Sequence, residues 1–238
     1  MAAIEALAHE PYVRGRQLYV RAPRPIDLPS EERPEDKVPE TKRHLEARTT
    51  LYLLLKEAFP GMAIGSEQFV YWDAGDPQKC LSPDVFLKRG SPDELFDTWK
   101  IWERGAPDLA LEVVSAFDRR DINWADKLQR YQASGVSELV RFDAAARQPL
   151  RVWDRVDGEL VERAASSPSH HECVSLGLWW ATVQTEYGLI LRLANDPAGA
   201  SLLLTPEEKL QAEVKARAAA EAENEQLRAE LARLRAGR

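Results

Sequence analysis

Three side chains of this sequence combine into a chemistry that none performs alone: Asp84, Glu112 and Lys127. Glu112 interrupts Leu109-Ala110-Leu111-Glu112-Val113-Val114, a run that is otherwise apolar on both faces, the pattern of a central strand buried from both sides. A buried, unpaired carboxylate is costly to desolvate, so Glu112 needs a cation, a proton or hydrogen bonds. Asp84 follows Pro83 at the start of another expected strand, Asp84–Lys88, and Lys127 lies 15 residues beyond Glu112 on the next expected helix. Two carboxylates from neighbouring strands suit a hard divalent ion such as Mg²⁺, which keeps several waters and takes one or two protein carboxylates. Water bound to such an ion loses a proton more easily. A nearby ammonium can orient that water or neutralise charge developing on a phosphate. Two acids and a lysine are thus a minimal set for metal-assisted phosphodiester hydrolysis. The same residues can also be read as a buried Glu112–Lys127 ion pair, and residue types alone leave both readings open.

The elements that must position these residues follow from the patterning. Thr41 is placed to cap a helix in which Leu51, Leu54, Leu55, Ala58 and Phe59 recur at three- and four-residue steps before Pro60-Gly61 stops it. Short strands are expected at Ala63–Tyr71, Asp84–Lys88 and Leu109–Ser115. A second helix, 120–134, carries Trp124, Leu128 and Tyr131 on one face and ends at Gly135. Strands resume at Glu138–Asp143 and Leu150–Arg155. Asp157-Gly158 signals a hairpin into Glu159–Arg163, and the apolar stretch Leu176–Leu193 closes the domain.

Before this domain, residues 22–40 hold Pro23, Pro25, Pro29, Pro34 and Pro39 among charged residues, which predicts an extended arm over 1–40, with Tyr12–Val20 as an edge strand. After it, from Pro206 on, seven basic and seven acidic residues accompany much Ala and Leu. Leu210, Arg217, Asn224 and Leu231 share one heptad position, and Glu213, Ala220, Leu227 and Leu234 share another. This predicts a coiled-coil helix over 204–238, good in its second half and poor in its first, and so a homodimer or a partner helix. The chain has 238 residues, 44% hydrophobic and 30% charged, as expected of a packed domain with appendages. The net charge of −7 argues against holding nucleic acid by bulk positive charge, yet not against an acidic metal site that acts on it. Cys80 and Cys173 cannot alone build a disulfide framework or a four-ligand zinc site. With no long apolar run and no signal-like start, a cytoplasmic protein without membrane spans is expected.

The succession Ser82-Pro83-Asp84-Val85, then Pro107-Asp108-Leu109-Ala110-Leu111-Glu112-Val113-Val114-Ser115, then Asp126-Lys127 with Tyr131, Gly135-Val136 and Glu138, ending in Phe142-Asp143, resembles the Uma-two family of proposed bacterial endonucleases. That family is placed in the restriction-endonuclease-like PD-(D/E)XK superfamily. The resemblance covers about residues 41–195. It implies an α/β fold, a mixed β-sheet flanked by helices. It also implies Asp84 and Glu112 as ligands of Mg²⁺ or Mn²⁺, Lys127 as the catalytic lysine, and DNA as substrate. The superfamily's lysine usually follows the acid by two positions, which here is Val114; relocation to the following helix makes Lys127 its replacement. The arm, 1–40, does not look like the family's usual opening, and Ser137-Glu138-Leu139-Val140 replaces a more aromatic segment.

Around this triad stand auxiliary candidates. His44 falls where the family commonly shows a histidine, Glu46 could add a carboxylate near the metal, and Tyr131, four residues beyond Lys127, positions the lysine or packs. Arg119 and Arg120 could contact phosphate. Asp108 reads as a turn or strand-entry residue, and His170-His171-Glu172-Cys173 as an exposed loop without zinc spacing. A rival function keeps the fold without the chemistry: a catalytically inactive nuclease-fold module that binds or assembles through its coiled coil. A metal-dependent hydrolase acting on another substrate is a third.

Overall fold

The computed structural model describes residues 12–14, 17–19, 41–115, 124–164, 167 and 169–236. The proline-rich stretch 22–40, the pair Arg119–Arg120 and the expected start of the second helix lie outside the described residues. The chain divides into two units, Met1–Pro39 and Glu40–Arg238. In the first, β1 (Tyr12–Arg14) and β2 (Gln17–Tyr19) pair antiparallel, Tyr12 opposite Tyr19, so the single edge strand expected there is a hairpin instead.

The second unit is built on a six-stranded mixed sheet. Its strands, in chain order, are β3 (Ala63–Gly65), β6 (Val85–Lys88), β8 (Leu109–Val113), β9 (Glu138–Phe142), β10 (Leu150–Val156) and β11 (Glu159–Glu162), and their order across the sheet is β11-β10-β9-β8-β6-β3. Within it β8 and β9 alone run parallel, and every other neighbouring pair is antiparallel. A parallel pair needs a crossover connection, supplied here by α3 (Trp124–Ser134), whose end is marked by Gly135 at φ 80°. The tight return from β10 to β11 is the expected Asp157-Gly158 turn, with φ of 49° and 88°. These are the α/β architecture and mixed sheet that the family resemblance implies.

Two apolar layers hold the sheet. Alternate residues Val85, Leu87, Leu109, Leu111, Val113, Val140 and Phe142 face one side. There they meet Leu51, Leu54 and Leu55 of α1 (Lys42–Ala58), together with a three-stranded antiparallel sheet of β12 (His170–Cys173), β13 (Leu178–Thr185) and β14 (Gly188–Ala194). The intervening residues Phe86, Ala110 and Leu139 face the other side, where Tyr131 of α3, Val136 and Trp153 cover them. Strand periodicity of two sorts every residue of β8 to one layer or the other. Glu112 shares its side with Ala110 and therefore faces α3.

The expected strand Ala63–Tyr71 is two. Ala63–Gly65 joins the large sheet, while β4 (Val70–Tyr71) belongs to a small sheet with β5 (Cys80–Leu81) and β7 (Trp99–Lys100), next to the short α2 (Ile101–Arg104). The break comes where the chain passes Phe86 of β6. A side chain at Gly65 would come within 2.3 Å of the Phe86 ring, and Glu67 takes a φ of 67°, so the chain turns between the two sheets. His170–Cys173 is likewise not an exposed loop but strand β12. His171 and Cys173 point inward and are buried, and Glu172 points out. At the C-terminus α4 (Pro206–Ala236) is one helix of 31 residues with no buried side chain. No helix among the described residues is long and apolar enough to cross a membrane.

Candidate active site

The register of β6 and β8 sets Val85 opposite Leu111, which brings Asp84, one residue earlier, beside Glu112. The two carboxylates thus rise from adjacent strands. α3 then lies over them and delivers two donors from one face, four residues apart. Lys127 Nζ donates to Glu112 Oε2 at 2.6 Å, and the Tyr131 hydroxyl donates to Glu112 Oε1. Tyr131 therefore positions the glutamate, not the lysine. Asp84 Oδ2 accepts the Val113 backbone N–H at 2.5 Å, and His44 Nε2 of α1 approaches Asp84 Oδ1 to 3.2 Å. His44 has its place because Thr41 caps α1: the threonine side chain accepts the His44 N–H at 3.3 Å and starts the helix there. Ser66 ties down the backbone, donating to the Asp84 carbonyl at 2.7 Å while accepting from Arg48 at 3.0 Å.

Burial dominates the electrostatics. Glu112 is only 4% exposed, and its carboxyl is pushed up to about 7 by loss of solvent and by the negative charge of Asp84, against the pull of Lys127. Burial and the charge of Glu112 hold the Tyr131 phenol well above its ordinary range, so it remains a donor. The site is an acidic pair with one ammonium, in a place where like charges repel through little water. That donor set fits a hard divalent cation, which relieves the repulsion. Among the described residues no three His, Cys, Asp or Glu side chains converge as a metal cage. An ion here would be held by Asp84 and Glu112 and complete its shell with backbone carbonyl and water, as Mg²⁺ favours.

Glu46 is not brought to the site. It lies two residues after His44, about 200° around the helix, and is 67% exposed, with Lys42 at 3.8 Å. Asp108 holds the loop after β6, accepting the Arg89 N–H at 2.7 Å. It enters strand β8 as a structural residue, in keeping with the sequence expectation. Glu138, part of the motif run, faces the opposite side of the sheet from Glu112. There it accepts the Ser175 N–H at 2.8 Å and lies 3.7 Å from Arg163, which bonds Asp154 with both arms of its guanidinium. Buried Cys173 lies against the same carboxylate, its Sγ 3.8 Å from Glu138 Oε2.

Sequence reasoning missed Arg141. It stands directly beside Glu112 in the parallel pairing of β8 with β9, on the same face. Its side chain is 15% exposed, 3.4 Å from Asp143 and 5.0 Å above the Trp124 ring. The available signal was a charged residue inside the strand Glu138-Leu139-Val140-Arg141-Phe142, on the side that alternation assigns to α3.

The Uma2 family, described as "Putative restriction endonuclease", matches residues 17–184, and the chain belongs to that family. Among solved structures, a protein from Anabaena variabilis ATCC 29413 described as "a putative nuclease belonging to DUF820" is similar at 14% identity. The match covers 66% of this chain and 78% of that one, with a TM-score of 0.38. Among curated proteins, none matches this sequence.

Proposed function

We propose that this chain is an endonuclease that hydrolyses DNA phosphodiester bonds with Mg²⁺ or Mn²⁺ at Asp84, Glu112 and Lys127. Its membership of a family described as "Putative restriction endonuclease" supports the reading. The observation that carries it is the buried Glu112, drawn between Lys127 and Tyr131 and facing Asp84. An ion bound by the two carboxylates supplies Lewis acidity, easing deprotonation of a water and shielding negative charge on the phosphate. The protein does the rest. Tyr131 fixes the Glu112 carboxylate, and the Val113 N–H and His44 fix Asp84. Lys127 carries three N–H donors and can serve Glu112 and a phosphate oxygen together, orienting water and neutralising the charge that builds on the phosphorus. Arg141, beside Glu112, adds a phosphate contact from the neighbouring strand.

The test is incubation of supercoiled plasmid and of single-stranded DNA with Mg²⁺, Mn²⁺ or chelator, alongside calorimetric titration of the metal. Metal-dependent nicking or linearisation is expected, lost in Lys127→Ala. If neither cutting nor metal binding occurs, the reading fails and a nuclease-fold binding module takes its place; metal binding without cutting would indict the substrate alone. A second expectation concerns Arg141→Ala: kcat/KM falls by about tenfold to a hundredfold, with partial recovery in Arg141→Lys. Unchanged kinetics in a folded Arg141→Ala protein would remove Arg141 from the site.

A further inference from the structure

The tail helix changes character along its length. Its first turn is built into the domain. Thr205 Oγ1 accepts the Glu208 N–H at 3.2 Å and Glu208 Oε2 accepts the Thr205 N–H at 2.8 Å, a reciprocal cap with Pro206 at the first helical position. Arg192 of β14 grips the same glutamate with two bonds, at 3.0 and 2.6 Å, and Lys209 reaches Glu57 of α1 at 2.8 Å. From Lys209 to Ala236 every residue is exposed. Leu227, Leu231 and Leu234 stand 52%, 52% and 64% in solvent, at the four- and three-residue steps of a single stripe.

The residues flanking that stripe say what covers it. With Arg217, Asn224 and Leu231 at a and Ala220, Leu227 and Leu234 at d, the g positions are Glu223 and Glu230 and the e positions are Glu221, bonded to Arg217 of its own helix, Arg228 and Arg235. When two such helices run parallel, each g faces the e of the following heptad across the seam. Glu223 then meets the partner's Arg228, and Glu230 meets the partner's Arg235, each pair twice by symmetry. An antiparallel arrangement sets g against g, glutamate against glutamate. At the a position Asn224 faces the partner's Asn224, the pairing that fixes register in parallel dimers. In the single chain its amide bonds back to the Ala220 carbonyl at 2.9 Å. The stripe and its charges are complementary to themselves.

We propose that residues 217–236 form a parallel two-stranded coiled coil with a second copy of this chain. Because the root of the helix is fixed to its domain by Arg192 and Lys209, parallel pairing brings both domains to the same end of the coil. The proposal stands whether or not the chain cuts DNA.

Sedimentation equilibrium of the full chain should give a dimer. Leu227→Glu combined with Leu234→Glu should raise its dissociation constant by more than about a hundredfold, with helix content retained by circular dichroism. Asn224→Cys in a Cys80→Ser background should form an interchain disulfide on mild oxidation, as parallel register requires. The charge pattern has its own test. Glu223→Arg with Glu230→Arg, and Arg228→Glu with Arg235→Glu, should each weaken self-association, and the two variants mixed should pair with one another. A chain that is monomeric at every concentration, a dimer indifferent to the leucine substitutions, or charge variants that do not prefer each other would overturn the proposal.

Discussion

Glu112→Gln is expected to lower the rate of metal-dependent DNA cleavage by at least about a thousandfold while leaving the fold in place. The substitution changes one oxygen to an amide nitrogen and removes a negative charge. With its amide oxygen toward Lys127, the glutamine still accepts from the ammonium, and its NH2 can donate to the Tyr131 hydroxyl oxygen, so α3 keeps its seat on the sheet. What vanishes is half of the acidic pair. A single carboxylate, Asp84, attracts a divalent ion far more weakly than two, so the Kd for Mg²⁺ should rise along with the loss of rate. Nicking assays at saturating Mg²⁺, with calorimetry for the ion and circular dichroism for the fold, check all three parts. Wild-type rates in a folded Glu112→Gln protein would end the assignment of this site.

The same substitution should remove a pH-dependent loss of stability from the metal-free chain. The Glu112 carboxyl sits at about 7 in the folded state, above the ordinary glutamate value of 4.5, chiefly because it is buried. The folded chain therefore holds a proton there that the unfolded chain has released. The stability contributed by Glu112 is complete below about 4.5 and is lost as pH rises through about 7. The loss is on the order of 3 kcal/mol across that window. Glutamine has no proton to lose. In urea unfolding with chelator present, wild type should thus lose about 3 kcal/mol relative to Glu112→Gln between pH 4.5 and pH 8. Lys127→Met should carry the wild-type decline to higher pH, since the Lys127 charge favours the ionised carboxylate. A difference between wild type and Glu112→Gln that does not change with pH would contradict the account. The residue proposed to be indispensable for cutting is thus one that the chain, in chelator, holds at a cost above neutral pH.

Much of the scaffold was legible because it rests on local signals. Thr41 and Pro60-Gly61 bound α1, Gly135 ends α3, Asp157-Gly158 turns β10 into β11, and the apolar run around Glu112 is the buried β8. What escaped depends on distant partners. Nothing between Ala63 and Tyr71 announces that two strands join different sheets; the reason lies in the ring of Phe86, packed where a side chain at Gly65 would be. His170-His171-Glu172-Cys173 looks polar, yet His171 and Cys173 turn into a layer closed by Trp180 and by Glu138 with its bonds to Ser175. Two-residue strands such as Cys80–Leu81 and Trp99–Lys100 have no pattern to read. At the site, the grouping of Asp84 with Glu112 follows from strand neighbours, and Lys127 with Tyr131 from helical spacing. Arg141 needed the register of β9 against β8, and Glu46 was drawn in only by its nearness to His44 along the chain.

One feature of α3 reaches beyond the geometry of the site. Lys127 and Tyr131 travel on the same helix, four residues apart, while both carboxylates belong to the sheet. Chemistry and tertiary assembly therefore share a single contact surface. A chain whose sheet has formed but on which this helix has not docked keeps Asp84 bonded to the Val113 N–H, while Glu112 stands without the ammonium and the phenol that hold it. In the proposed enzyme, a substitution that unseats α3 would therefore take cleavage and tertiary packing away together.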